Sequence, residues 1–185
     1  MPEDALLEII IRPSKSLTAA EAQEADGLDK LAFVEEYNDD SNDSNDSIEW
    51  IEESNYRVLG FVGGRLVSQV ILSSQDILIG SQSLSIAGVG GVGTHPDWRS
   101  RGFARRLLKA AEDWIRSEGC YDFGMLFCDP EMIPYYASCG YIQIFNPIFI
   151  IQRRQRVEFV DHQMVLPISG KPWPEGVVDI PGRPW

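Results

Sequence analysis

The sequence predicts a single α/β domain, residues 1–185, built from short strands and a few helices. The chain has 185 residues and is 44% hydrophobic, and a domain of this size buries roughly two-thirds of its unfolded surface. Short apolar runs of strand type recur along it. A long segment with helical spacing separates two of these runs, which indicates a parallel crossover connection between them.

The first elements are a strand and a helix. Residues 6–11 form a short apolar run that contains Glu8, so we expect a strand there rather than a signal peptide or a membrane span. Thr18 and Glu21 form a capping-box signature, which predicts a helix that continues to Val34. A second, weaker helix is predicted at residues 48–51.

The central strands come next. Residues 56–62 and 66–72 are expected to form a hairpin, because the Gly63-Gly64 dipeptide between them suits a tight turn. Residues 77–79 and 84–92 are predicted to continue the sheet.

The main helix begins near Phe103, and Gly119 is expected to end it. The apolar residues Leu107, Ala111 and Ile115 recur at helical spacing within it. A buried strand at residues 123–128 follows, and further strands are predicted at residues 141–144, 148–152 and 163–166.

The charge distribution excludes one class of partner. A net charge of −12 argues against nucleic-acid binding, which draws most of its affinity from basic groups. Residues 35–53 are rich in acids and contain no lysine or arginine. We interpret this segment as a solvated acidic loop, and an entrance for a cationic substrate is the alternative.

The cysteines and histidines do not indicate a metal site or a disulfide scaffold. Cys120, Cys128 and Cys139 are odd in number and lack paired metal-ligand spacing. No ligand spacing surrounds His95 or His162. We therefore expect no metal, and a reducing compartment, the cytosol.

Residues 94–104 lead from a strand into the main helix. Such a junction presents unpaired backbone N–H groups and the positive end of the helix dipole, which suits a phosphate. Basic residues crowd this end of the helix, in an order that opposes the dipole unless a polyanion binds; they are Arg99, Arg101, Arg105, Arg106 and Lys109. A basic surface patch paired with acids elsewhere is the alternative. The preceding strand contains the sequence AGVGGVG, and its four glycines indicate a bulge or the close approach of another group.

These residues resemble the GNAT superfamily of N-acetyltransferases. The segment RSRGFA, residues 99–104, is similar to the family's acetyl-CoA signature, Gln/Arg-x-x-Gly-x-Gly/Ala. The resemblance implies a mixed, mostly antiparallel central sheet of about six or seven strands flanked by about four helices, splayed where the thioester enters. It implies acetyl-CoA as the acyl donor, with Val92, Gly93 and Thr94 at the pantetheine arm. It also implies that the pyrophosphate contacts Arg99, Ser100, Arg101, Gly102, Phe103, Ala104 and Arg105.

A second segment resembles another signature of this family. Residues 135–141, YYASCGY, match Tyr-x-x-x-Gly-Phe/Tyr, in which a short helix ends at a glycine. By this resemblance Tyr136 lies near the coenzyme sulfur. A phenol stays protonated at neutral pH and can protonate the departing thiolate. Tyr136 is therefore the candidate general acid and Tyr135 the fallback; an aromatic residue that only packs at the helix end is the alternative for Tyr136.

The general base and the acceptor are less defined. Many relatives carry a glutamate on the glycine-rich strand, and this chain has none there. Asp129 and Glu131 are the nearest alternatives, although each could be a loop or helix-cap acid. The tail resembles the carboxyl ends of aminoglycoside 2'-N-acetyltransferases and of the nodulation N-acyltransferase, which implies that Trp185 binds the acceptor. The alternative is a tail whose tryptophans cover the core.

The predicted function is transfer of an acetyl group from acetyl-CoA directly to a primary amine of a small, cationic or peptide acceptor. Expected partners are acetyl-CoA and this amine, without nucleic acid or membrane, and a homodimer is left open. Two alternatives remain. One is an acetyl-CoA-binding module without catalysis, suggested by the missing carboxylate. The other is an interaction domain whose basic cluster pairs with the acidic segment.

Overall fold

The computed structural model describes residues 6–33, 48–49 and 54–185. In chain order these residues form strand β1 (Glu8–Pro13), helix α1 (Ala19–Ala32), strands β2 (Tyr56–Val62), β3 (Arg65–Ile79) and β4 (Gln82–Thr94), helix α2 (Phe103–Glu118), strand β5 (Phe123–Cys128), helix α3 (Ile133–Ala137) and strands β6 (Ile142–Ile144), β7 (Ile148–Gln152), β8 (Gln155–Glu158), β9 (His162–Pro167) and β10 (Val178–Asp179).

The described chain divides into two compact units. The first contains residues 6–33, 54–72 and 91–111, and the second contains residues 48–49, 73–90 and 112–185. Strands β3 and β4 and helix α2 contribute residues to both. None of the described helices is long and apolar enough to cross a bilayer.

The first unit contains the predicted hairpin and the predicted capped helix. Strands β1, β2 and β3 pair antiparallel in that order, and Gly63 and Gly64 take the positive φ angles that the turn requires. The Thr18 side chain accepts a hydrogen bond from the Glu21 N–H, and the Glu21 carboxylate accepts one from the Thr18 N–H, so the capping box is confirmed. Helix α1 buries its apolar face against β2 and β3.

The second unit contains a larger sheet with strand order β6-β9-β5-β4-β3-β10-β7-β8. Strands β4 and β5 are parallel over Ile86↔Phe123 to Gly88↔Met125, which confirms the predicted crossover through α2. Strand β10 also lies parallel to β7, whereas β5–β9, β6–β9, β7–β8 and β10–β3 are antiparallel. One face of this sheet carries the core cluster that includes Ile77, Phe123 and Val165.

The element count differs from the prediction for physical reasons. The two runs predicted at residues 66–72 and 77–79 are one continuous strand, because the polar residues between them also pair in the sheet. Strands β8 and β10 were not predicted, since one is polar and the other has only two residues. Of the helix predicted at residues 48–51, Ile48 and Glu49 are not helical. The rest of it, and most of the acidic segment 35–53, lies outside the described residues.

Candidate active site

The predicted phosphate cradle lies in the first unit, between the end of β4 and the start of α2. Ser100 and Gly102 take positive φ angles of 61° and 72°, so the loop bends sharply before the helix. The Arg106 N–H donates to the Gly102 carbonyl (3.1 Å), which starts the helical hydrogen-bond ladder. The N–H groups of the first turn therefore have no helical acceptor, and that turn carries no acidic residue. A helix start of this kind is suited to an anion.

The arginines of the cradle differ in what they contact. Arg99 donates from Nε to the Thr94 carbonyl (3.2 Å) and from Nη2 to the Ala32 carbonyl (3.0 Å). It therefore ties the end of β4 to the end of α1. The Arg101 guanidinium lies 4.7 Å from the ring centre of Trp98, which in turn stacks on Phe103 at 6.0 Å. The cation–π contact positions Arg101 at the loop.

The glycines of β4 that belong to the first unit lie against the chain's own side chains. A Cβ atom at Gly91 would lie 2.6 Å from Ile71 Cδ1, and one at Gly93 would lie 3.0 Å from Ala32 Cβ. Gly91 also has a positive φ of 51°. The Gly93 carbonyl accepts a hydrogen bond from the Ser68 hydroxyl (2.9 Å). The predicted close approach is confirmed, but the approaching groups belong to the protein.

The glycines of β4 in the second unit lie under Trp185. A Cβ atom at Gly88 would lie 2.4–2.6 Å from the indole ring, and one at Gly90 would lie 3.3 Å from the Trp185 carbonyl carbon. The indole Nε1–H donates to the Met125 carbonyl (3.1 Å). The ladder between β4 and β5 ends at Gly88↔Met125, although both strands continue. The Trp185 indole thus donates a hydrogen bond to a β5 carbonyl at the point where β4 and β5 stop pairing.

Tyr136 lies at the end of helix α3, as the tyrosine signature predicts. Gly140 has a φ of 95°, and the Tyr141 N–H donates to the Tyr136 carbonyl (3.1 Å), as in a Schellman motif. The Tyr136 side chain is only 7% exposed. Burial, followed by the nearby Cys128 and Tyr135, raises the pKa of Tyr136 well above its ordinary value. The phenol is therefore protonated throughout the physiological range.

The two predicted base candidates are exposed. Asp129 and Glu131 flank the start of the short 3-10 helix Pro130–Met132. The Asp129 side chain makes no capping hydrogen bond, so the helix-cap interpretation of this residue is not supported. Its charge is close enough to Tyr136 to contribute to the raised pKa of the phenol.

Sequence reasoning missed a third carboxylate, Asp161. This residue is half-buried just before β9 and accepts a hydrogen bond from the His162 N–H (2.7 Å). Burial raises the pKa of Asp161; the hydrogen bond from His162 opposes this shift, and the charge of Asp129 adds to it. No motif marks Asp161, because its position depends on the pairing of Cys128 with His162 between β5 and β9.

Cys128 is not suited to nucleophilic catalysis. Burial, and then the carboxylates of Asp161 and Asp129, raise the pKa of the Cys128 thiol to about 11. Almost no thiolate is present at neutral pH, and the thiolate is the reactive form. We expect Cys128→Ala to keep its kcat for acetyl transfer within about twofold of the wild type. A larger loss, or an acetylated Cys128 in the mass spectrum of the quenched enzyme, would contradict direct transfer.

Metal ligands are not grouped in this structure. No set of three His, Cys, Asp or Glu side chains that could hold a metal ion occurs within residues 6–33, 48–49 and 54–185.

Comparisons with known proteins are consistent with this geometry. The family model described as an acetyltransferase (GNAT) domain matches residues 14–144. A search of curated proteins finds no match. Neither comparison shows the predicted similarity of the tail to aminoglycoside 2'-N-acetyltransferases or to the nodulation N-acyltransferase.

Solved structures share the fold at low sequence identity. A GNAT family N-acetyltransferase of Escherichia coli, YhbS, in complex with CoA has a TM-score of 0.60 at 16% identity, over 95% of this chain and 91% of its own. A GNAT family acetyltransferase of Brucella melitensis in complex with acetyl-CoA has a TM-score of 0.58 at 16% identity, over 92% and 94%. Escherichia coli ElaA has a TM-score of 0.61 at 16% identity, over 87% and 99%. The predicted fold class, a mixed and mostly antiparallel sheet with flanking helices, is confirmed.

Proposed function

Because the chain belongs to the GNAT acetyltransferase domain family, we propose that it moves an acetyl group from acetyl-CoA directly to a primary amine of a small-molecule or peptide acceptor. Family membership establishes an acyltransferase, and the CoA and acetyl-CoA complexes of similar structures support this donor. The observation that carries the proposal is the turn at Ser100 and Gly102 in front of α2. Such a turn places backbone N–H groups and the positive end of a helix dipole together, which supports anion binding at this point.

In this proposal the first unit binds the coenzyme. The pyrophosphate accepts hydrogen bonds from the backbone of residues 99–105, and Arg101 contributes charge beside it. Residues 92–94 of β4 pair with the pantetheine arm through their main chain. Arg99 positions the cradle rather than contacting the anion, because its guanidinium already binds two carbonyls.

Two glycines at opposite ends of α2 give a matched test of the cradle. Gly102 and Gly119 have positive φ angles of 72° and 68°, and a Cβ atom added at either glycine would meet no other atom within 4 Å. Gly102→Ala and Gly119→Ala should therefore each lower the free energy of unfolding by about 1–2 kcal/mol, through backbone strain alone. Only Gly102→Ala should weaken the binding of acetyl-CoA, with a rise of about 10-fold or more in the dissociation constant measured by calorimetry. Equal coenzyme affinity of the two variants would reject the cradle.

The second unit supplies the proposed chemistry. Tyr136 protonates the departing thiolate, since its buried phenol keeps its proton. Backbone groups of β4 stabilise the oxyanion. The acceptor amine loses a proton to a carboxylate, for which the candidates are Asp129, Glu131 and now Asp161. We propose that Trp185 contacts the acceptor, because its indole lies over the glycines of β4.

Asp161 is expected to affect both the stability of the protein and, if it is the general base, its turnover. Folding raises the pKa of Asp161, so its favourable contribution exists only below its unfolded pKa and is lost as the pH rises through the folded value. Asp161→Asn should therefore raise the melting temperature at pH 7 and not at pH 3.

The identity of the general base is tested by kcat. If Asp161 is the base, Asp161→Asn lowers kcat by about 10² or more, whereas Asp129→Asn and Glu131→Gln do not. Unchanged kcat in Asp161→Asn would exclude it.

The overall proposal is tested by thiol release. Acetyl-CoA is incubated with the protein and a panel of polyamines, amino acids, peptide N-termini and aminoglycosides, and free CoA is measured. Turnover with at least one amine supports the proposal. A CoA-dependent rise in melting temperature without release of thiol would instead indicate a binding module. The absence of any such rise would indicate an interaction domain. The cytosolic location and the single-domain organisation stay predictions.

A further inference from the structure

Three buried oxygen atoms on one face of the second unit's sheet have no hydrogen-bond partner among the described residues. They are Ser73 Oγ, Gln75 Oε1 and Gln163 Oε1. Ser73 is 5% exposed and Gln163 is 7% exposed. Buried polar groups are normally hydrogen-bonded, and exceptions often mark functional positions. The three oxygens are therefore candidate acceptors for the donors of a bound molecule.

The three side chains share the face that carries the core cluster. Side chains alternate along a strand, so Ser73 and Gln75 lie on the same face of β3 as Ile77, which belongs to that cluster. Gln163 pairs across strands with Phe127, and cross-strand partners share a face. Phe127 packs against this cluster as well.

Trp185 lies between the two glutamines on this face. Its ring centre is 5.2 Å from that of Phe127, and Phe127 is the cross-strand partner of Gln163. On the other side, the Gln75 Nε2–H donates to the Arg183 carbonyl (3.2 Å), two residues before Trp185. Because a carbonyl cannot donate, this bond fixes the Gln75 amide with its oxygen unpaired. The indole is therefore flanked by oxygen acceptors.

The chemistry of these atoms selects a class of ligand. An amide oxygen only accepts hydrogen bonds, so the ligand must present N–H or O–H donors. Strand order places β3 and β9 three strand spacings apart, about 14 Å. A ligand that reaches acceptors on both sides of the indole is therefore extended. The net charge of −12 favours a cation.

We propose that this face is the acceptor site, where Ser73, Gln75 and Gln163 bind the donor groups of an extended amine that lies beside the Trp185 indole. The inference rests on the proposed function and deepens it, because it assigns the acceptor class and three residues that select it.

The test compares an extended amine, spermidine, with n-butylamine, which has one amine and no other donor. Gln75→Leu and Gln163→Leu should each raise the dissociation constant of spermidine, measured by calorimetry, and its KM by about 10-fold. Ser73→Ala should raise both by about fivefold. The dissociation constants of n-butylamine and of acetyl-CoA should change by less than about twofold in these variants. Ser73→Ala removes an oxygen without a partner among the described residues, so its melting temperature should not fall. Gln75→Leu and Gln163→Leu also remove amide N–H bonds to the Arg183 and Asp161 carbonyls, so a small fall in their melting temperature is expected and does not count against the inference. Gln82→Leu and Ser83→Ala, exposed on β4, are the matched controls.

The outcomes separate this inference from the proposed function. If no amine is acetylated, the proposed function fails, and calorimetry with spermidine still decides the inference. Weaker spermidine binding in the leucine variants then supports it. No spermidine binding by the wild type, or equal affinity in all variants, overturns it. A parallel loss for spermidine and n-butylamine, together with a lower melting temperature, also overturns it, because that pattern indicates a structural role.

Discussion

Replacing Tyr136 with phenylalanine is expected to lower the kcat of acetyl transfer by about 10² to 10⁴ while leaving the dissociation constant of acetyl-CoA unchanged. The change removes one hydroxyl from a buried ring, so it removes the proposed proton donor and keeps the packing. The measurement is steady-state thiol release together with calorimetry of the coenzyme. An unchanged kcat would remove the role assigned to this phenol.

Tyr135→Phe is the matched control for this prediction. The two rings are neighbours, with centres 5.2 Å apart, but Tyr135 is less buried than Tyr136. The Tyr135→Phe enzyme is therefore expected to keep most of the wild-type kcat.

The pH dependence of kcat gives a second check on Tyr136. Since burial raises the pKa of Tyr136, the wild-type kcat should not fall on the alkaline side up to about pH 10. A falling limb near neutral pH would indicate a different proton donor.

Replacing Gly88 with alanine is expected to destabilise the protein by about 1–3 kcal/mol. The new methyl group would lie 2.4–2.6 Å from the Trp185 ring, so the indole must leave its position and give up its bond to the Met125 carbonyl. The free energy of unfolding is measured by chemical denaturation. Acetyl transfer should also fall, since the proposed acceptor contact moves with the ring.

A double-mutant cycle isolates this contact. In a Trp185→Ala background the added methyl at Gly88 meets no indole, so Gly88→Ala should leave the free energy of unfolding nearly unchanged there. Gly90→Ala is a milder comparison, because its Cβ would lie 3.3 Å from the Trp185 carbonyl carbon. If Gly88→Ala is equally costly in both backgrounds, the strain arises from the strand itself and not from the indole.

Local signals predicted much of this structure, and contacts between distant segments account for what was missed. The capping box at Thr18 and the glycine that ends α3 were confirmed, because each motif satisfies its own backbone within a few residues. The glycines of β4 were recognised as positions of close approach. The partner of Gly88 could not be predicted, since Trp185 reaches it only after the tail has folded onto the sheet.

The candidate site divides in the same way. The loop before α2 is a continuous segment, so its turn geometry follows from adjacent residues such as Gly102. Asp161 had no sequence signal, because β9 must pair with β5 before this carboxylate comes near Cys128. Ser73 and Gln75 were likewise overlooked, since polar residues inside a strand carry no motif and their missing partners are visible only in three dimensions.

Strand β10 has only two residues, yet it pairs with β3 on one side and with β7 on the other. Its pairing joins segments that are far apart in sequence, which slows folding because long loops must close first. Until it docks, β3 and β7 each present an open edge that another chain can extend. Two residues therefore close two sheet edges at once, and removing them would leave Leu78–Ile79 and Ile148–Phe149 without their strand partner.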